Sequence, residues 1–149
     1  MAMFQAFNIS ATGMTAQRFR TDIIAENVAN ATTTRTAEGG PYTRKIVTFQ
    51  EKDLTIFSGV LDSELKKRSA VGNGVKVSKV TEDRETEYIM EYDPSHPDAD
   101  ENGYVTYPNV NIVTEMTNLI DASRSYEANV TALNAAKSIA QSGIQIDQA

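Results

Sequence analysis

Charge is spread very unevenly along this chain, and that asymmetry restricts the fold more than any other feature. Residues 1–31 and 109–149 together hold 10 charged residues in 72, whereas residues 32–108 hold 24 in 77. The middle also holds all four prolines and six of the eight glycines. A helix on the surface of a monomeric protein carries one strongly charged face. Helices as poor in charge as these ends bury more than one face, so the pattern predicts two contact-rich helices flanking a turn-rich, solvated centre.

Composition closes off several chemistries. The chain has 149 residues and a net charge of −6, with one His, no Cys and no Trp. An acidic balance argues against a nucleic-acid partner. Without Cys there is no disulfide framework, no thiolate-held metal and no thiol nucleophile, and one His cannot supply a site that needs two imidazoles. No apolar run approaches the roughly 20 residues of a membrane span. The stretch Met1–Asn8 has no Lys or Arg and no unbroken apolar run, so no secretory leader is expected.

Residues 3–31 contain no Pro and one Gly. Phe4, Phe7, Ala11 and Met14 form one apolar stripe that Ile24, Val28 and Ala31 extend; Ile9, Ala16, Phe19 and Ile23 form a second. Both predict a helix with apolar contact over a wide arc. It stops at Thr32-Thr33-Thr34, three β-branched residues ahead of Glu38-Gly39-Gly40-Pro41. At the other end Pro108 closes the centre, and Asn109 or Asn111 is a suitable N-cap. Steps of four and three then visit Ile112, Met116, Leu119, Ser123, Tyr126, Val130, Leu133, Lys137, Ala140 and Ile144. That is a heptad seam broken at Ser123 and Lys137. Asp121, Arg124 and Glu127 lie three apart and are spaced to pair along the helix. Dense Ala and Ser from Ala122 to Ala136 permit close approach of a neighbour.

The centre reads as a small sheet. Tyr42–Phe49 and Val75–Val80 are strand-like, Gly72-Asn73-Gly74 reads as a hairpin turn, and Thr86–Tyr92 is expected either to pair with 75–80 or, if Glu82-Asp83-Arg84-Glu85 only continues that strand, to extend it. Residues 50–71 fit a strand or a short helix, and Lys66-Lys67-Arg68 reads as a solvated run. Asp98–Gly103 matches the first six positions of a calcium-binding loop, but the twelfth is Asn109 and the preceding Asp93-Pro94-Ser95-His96-Pro97 cannot be an entering helix. It reads as an acidic turn. His96, framed by Ser95 and Pro97, reads as an exposed loop residue. No cofactor and no metal is expected.

Two stretches carry a resemblance. Ile9–Thr33, with the run Ala25-Glu26-Asn27-Val28-Ala29-Asn30 closing its helix and Thr32 close behind, resembles the N-terminal signature of the bacterial flagellar rod and hook family. Tyr104–Met116 leading into Ile120–Val130 looks like the C-terminal helix of the same family. The loop Asp93–Asp100 and the short length look most like its proximal-rod members. The resemblance implies a structural subunit, not an enzyme, whose terminal helices pair in the inner layer of a helically stacked tube while the middle faces outward. It implies other rod subunits and copies of itself as partners, a place in the basal-body rod in the periplasm, and passage through the flagellar type III export apparatus without a cleaved signal peptide.

The expected fold is therefore α+β. Residues 1–31 and 109–149 form a coiled-coil-like axial domain, and residues 32–108 form a β-rich insertion. Assembly contacts are expected from Phe7, Met14, Phe19, Ile23, Asn27 and Asn30 on the first helix. On the second they are expected from Met116, Leu119, Tyr126, Val130, Leu133 and Ile144. Asp98, Asp100, Asn102, Gly103, Tyr104 and Pro108 are expected to position the second helix. The rival readings are a free-standing helical-hairpin adaptor and, with only the acidic residues behind it, a cell-wall hydrolase.

Overall fold

A computed structural model describes residues 2–52 and 72–146, so the reading of 53–71 lies outside the described residues. Helix α1 runs Ala2–Ala29, strands β1 and β2 span Lys45–Glu51 and Val75–Glu82, β3 and β4 span Ile89–Tyr92 and Tyr104–Tyr107, and helix α2 runs Ile112–Ile146. The α+β class matches the expectation, and both helices lie close to their expected bounds. No described helix is long and apolar enough to cross a membrane.

The strand pairing differs from the expectation. β2 pairs with β1, and β3 pairs antiparallel with β4, forming two separate two-stranded sheets. Asp83 is the reason β2 and β3 do not form a hairpin. Its carboxylate accepts hydrogen bonds from the Glu85 N–H, the Thr86 N–H and the Thr86 hydroxyl, at 3.2, 3.1 and 3.0 Å. This side-chain turn redirects the chain after β2. Tyr104–Tyr107, alternating and β-branched, then supplies the partner for β3.

Gly74 makes a contact that the sequence reading did not anticipate. It has φ +95°, and a Cβ there would collide with the Thr12 hydroxyl on α1. Thr12 Oγ1 donates to the Ile9 carbonyl at 2.7 Å and accepts the Val75 N–H at 3.2 Å. The glycine lets the start of β2 reach the helix backbone.

Contacts divide the chain into two compact units. One comprises Met1–Arg18, Phe49–Ser78 and Ser123–Ala149; the other comprises Phe19–Thr48 and Lys79–Ala122. In the first, small residues are buried on α1: Ser10, Gly13 and Ala16. A Cβ on Gly13 would lie 2.6 Å from Asn129 Oδ1. In the second, the buried set is Ile24, Asn27, Tyr42, Asp83, Gly103, Val105, Pro108, Asn109, Val110, Glu115 and Ala122. Four of these are amides or carboxylates, an unusual share for an interior.

A candidate assembly site

The polar interior of the second unit is organised by Glu115. It is 1% exposed and is the sole charge between Glu101 and Asp121. Its Oε1 accepts from the Arg44 guanidinium at 3.0 and 2.8 Å, and its Oε2 accepts from the Asn27 amide at 3.1 Å. Asn27 uses its remaining capacity fully: its amide also donates to the Lys45 carbonyl, and its Oδ1 accepts the Tyr42 hydroxyl and the Lys45 N–H, each at 2.9 Å. Arg44 reaches on to Asp83 at 3.3 Å. Asn109 is not the helix cap. Its Oδ1 accepts the Arg44 N–H at 2.9 Å, and its amide donates to the Asp83 and Thr86 carbonyls at 2.7 and 3.1 Å. The cap is Asn111, whose Oδ1 accepts the Thr114 N–H at 3.1 Å.

One knot therefore ties the end of α1, the start of β1, the end of β2 and the first turn of α2. A buried carboxylate is tolerated here because its charge is paired and its lone pairs are filled. Hydrogen bonds from Thr86, chiefly its N–H, hold the Asp83 carboxyl below the ordinary carboxylate range against the opposing effect of burial. Burial, reinforced by Glu26 and Glu115, pushes the Tyr42 phenol up to about 12. Lys45 pairs with Glu26 at the rim.

The acidic loop spends its carboxylates locally. Asp98 accepts from the Thr34 hydroxyl at 2.8 Å and pairs with Arg35 at 3.7 Å. Asp100 Oδ1 accepts the Asn102 and Tyr104 N–H groups at 2.8 and 2.9 Å. Gly103, at φ +80°, closes the turn against Tyr92 and Pro94. The first and third positions of the calcium-like pattern thus hold different parts of the protein rather than converging. Among the described residues no group of three His, Cys, Asp or Glu could hold a metal ion. His96 is half-buried, not exposed: it accepts the Asp98 N–H at 3.1 Å and its ring lies edge-on to Tyr107.

The predicted assembly residues fall into three groups. Asn27 and Pro108 are buried. Phe7, Met14, Ile23, Asn30, Leu119, Val130 and Leu133 are half-buried. Phe19, Met116, Tyr126 and Ile144 are exposed, as are Ile112, Val113, Ile120 and Ile139 beside them. The inward side of α2 comprises buried Glu115 and Ala122 with half-buried Asn118, Leu119, Ser125, Asn129, Val130, Leu133, Ala136 and Ala140, so small and polar residues share it with part of the predicted seam. The two most deeply buried positions of α2 are a carboxylate and an alanine, while Met116, Tyr126, Ile139 and Ile144 stay outside. Asp121, Arg124 and Glu127 are all exposed and form no ion pair among the described residues. Sequence reasoning missed Tyr42, Arg44, Asp83 and Glu115; the isolation of Glu115 in a charge-free stretch was the signal available.

Comparison with known proteins follows the same outline. Residues 7–35 match the family described as flagella basal body rod protein, and residues 101–146 match the family described as flagellar basal body rod FlgEFG protein C-terminal. The chain is 45% identical to the flagellar basal-body rod protein FlgC of Bacillus subtilis, over 98% of this chain and 99% of that one. It is 40% identical to FlgC of Borreliella burgdorferi over 99% of both, and 40% identical to FlgC of Salmonella typhimurium over 93% of both. With relatives at this identity along nearly its whole length, the chain belongs to the FlgC family of flagellar basal-body rod proteins, which are structural subunits and not enzymes.

Proposed function

We propose that this rod subunit assembles through the outward faces of its terminal helices, and that residues 1–31 and 109–149 form the inner layer of the tube while 32–108 face outward. The observation that carries the reading is the inverted burial of α2. Met116, Tyr126, Ile139 and Ile144 stand between 39% and 69% exposed while Glu115 and Ala122 are fully buried. Apolar residues in such numbers along one exposed helix mark a surface that is covered in the working state. Side chains inserted between neighbouring subunits would stiffen the tube and let it transmit torque.

Coiled-coil-like pairing of α1 with α2 is part of the same proposal. Within each unit taken by itself the two helices touch through one specific contact, Gly13 with Asn129 and Asn27 with Glu115. Counted along the chain, the step from Gly13 to Asn27 equals the step from Asn129 back to Glu115, as antiparallel pairing requires. The wider reading places the subunit in the periplasm, delivered by the flagellar type III export apparatus without cleavage.

Substitutions on the outer face test it. Met116→Asp with Ile144→Asp is expected to change monomer stability by less than about 0.5 kcal/mol. In cells lacking the wild-type chain, this double variant and Tyr126→Asp are expected to be exported but to build no rods visible by electron microscopy. Normal motility in these strains would sink the outward-face assignment. Leu133→Asp, at a half-buried position, is expected to fail in the same assay.

A further inference from the structure

Two Asn-Gly steps occur in the chain, Asn73-Gly74 and Asn102-Gly103. Asparagine is a thermolabile residue, most of all before glycine, where no side chain shields the glycine nitrogen from the amide carbon of the asparagine. Reaction requires that nitrogen to give up its hydrogen bond and turn toward the amide carbon. The fold treats the two steps differently.

Gly103 is held on both sides. It is buried, its N–H donates to the Asp100 carbonyl at 3.0 Å, and its carbonyl accepts the Asp93 N–H at 3.0 Å. Asn102 is itself pinned, its N–H donating to Asp100 Oδ1 at 2.8 Å. Swinging the Gly103 nitrogen toward the Asn102 side chain would break the turn between β3 and β4 and leave a buried N–H unpaired. Gly74 is tied on one side only. Its carbonyl accepts the Lys52 N–H at 2.9 Å, whereas its N–H makes no hydrogen bond among the described residues. Gly72, just before Asn73, adds backbone freedom on the other side. Carboxylates stand near both steps, Glu51 beside Gly72 and Asp100 beside Asn102. Charge therefore does not separate the two steps, and the state of the glycine N–H does.

We propose that Asn73 is a site of spontaneous main-chain modification, and that Asn102 is protected by its turn. The Gly74 nitrogen loses its proton to water and attacks Cγ of Asn73. The N–Cγ bond forms, the Cγ–Nδ2 bond breaks, and ammonia leaves with a proton from water, giving a cyclic imide. Water then opens the imide. Cleavage of the N–Cγ bond gives aspartate. Cleavage of the bond from that nitrogen to the main-chain carbonyl carbon gives isoaspartate, with one extra methylene in the backbone. Water is the sole co-reactant, and no oxidation or reduction takes place. The extra methylene falls directly before Gly74, whose fit against Thr12 leaves no room for added atoms. Isoaspartate at position 73 therefore pulls the start of β2 away from α1 and breaks the bond from the Val75 N–H to Thr12 Oγ1. The proposal is independent of how the subunit assembles.

The test ages the purified full-length chain in warm, mildly alkaline buffer and follows both steps by peptide mapping with mass spectrometry. Asn73 is expected to convert about fivefold faster than Asn102, the factor that one net backbone hydrogen bond is worth. In concentrated urea the two rates should converge. Asp100→Ala, which loosens the protecting turn, should speed conversion at Asn102 and leave Asn73 unchanged. Hydrogen exchange on the aged chain should show lost protection at Val75, while Asn73→Asp, which adds the charge without the methylene, should keep it. Equal or faster conversion at Asn102 in the folded chain overturns the proposal. So does a rate difference that persists in urea, because neighbouring residues and not the fold would then set it. Survival of Asn73 in the folded chain over a time in which the urea-treated chain converts overturns it as well.

Discussion

The two compact units hold together by different means. The second is built around charge and amide groups: Glu115, Arg44, Asp83, Asn27 and Asn109 satisfy one another in a buried network. The first relies on close approach. Gly13 admits Asn129, Gly74 admits Thr12, and among the described residues of its part of α1 the buried side chains are Ser10 and Ala16. Directional hydrogen bonds fix angles as well as distances, so the knot sets the directions in which α1 leaves and α2 enters. Small-residue contacts fix a distance and a register and leave the outer faces to other partners. The two units therefore respond to different perturbations.

The largest expected effect comes from leaving the buried carboxylate without its cation. Arg44→Met should lower the stability of the chain by about 3–5 kcal/mol, because Glu115 remains buried and unpaired. Urea unfolding followed by circular dichroism measures it. The double variant Arg44→Met, Glu115→Leu should regain much of that loss. If the single variant unfolds at the wild-type midpoint, the knot does not hold the second unit.

Gly74→Ala combines an unfavourable backbone angle with a collision and should cost about 1–2 kcal/mol. Gly13→Ala should cost less, since it meets the end of an Asn129 side chain that can rotate. Hydrogen exchange separates these from the first prediction: both should raise exchange in the first unit and leave the amides around Asn27 and Glu115 protected. Equal loss in both units would remove the distinction.

The smallest effects appear at the extremes of pH. Asp83 titrates below its unfolded value of about 3.9. Its contribution is therefore complete above that pH and is lost as pH falls through the folded value. Asp83→Asn should flatten this acid limb. Tyr42 titrates near 12, above its unfolded value of about 10. Its contribution is complete below pH 10 and is lost as pH rises toward 12. Absorbance titration at alkaline pH should show one of the six tyrosines ionising late, and Tyr42→Phe should remove that step.

Much of the architecture was legible in the chain alone. Sparse charge, paired apolar stripes and the Thr32–Pro41 stop marked α1, and Pro108 followed by Asn109 or Asn111 marked the start of α2. The pairing of strands was not legible, because Thr86–Tyr92 alternates equally well beside either neighbour. Only the Asp83 turn, a side chain bonding its own backbone, decides against β2. The candidate site was half legible. The heptad seam of α2 located the apolar residues, but period alone cannot say which face meets its own chain.

By itself the sequence determined the lengths of the helices, the separation of sparse ends from a charged centre, and the family. These follow from local propensity and composition, which act over neighbouring residues. The tertiary structure decided that α2 buries Glu115 and Ala122 most deeply, that Asn109 braces β1 instead of capping a helix, and that Arg44 finds Glu115. Each of these joins residues far apart in the chain. A carboxylate as lone as Glu115 is tolerated in the interior only where folding brings it a cation and an amide donor together.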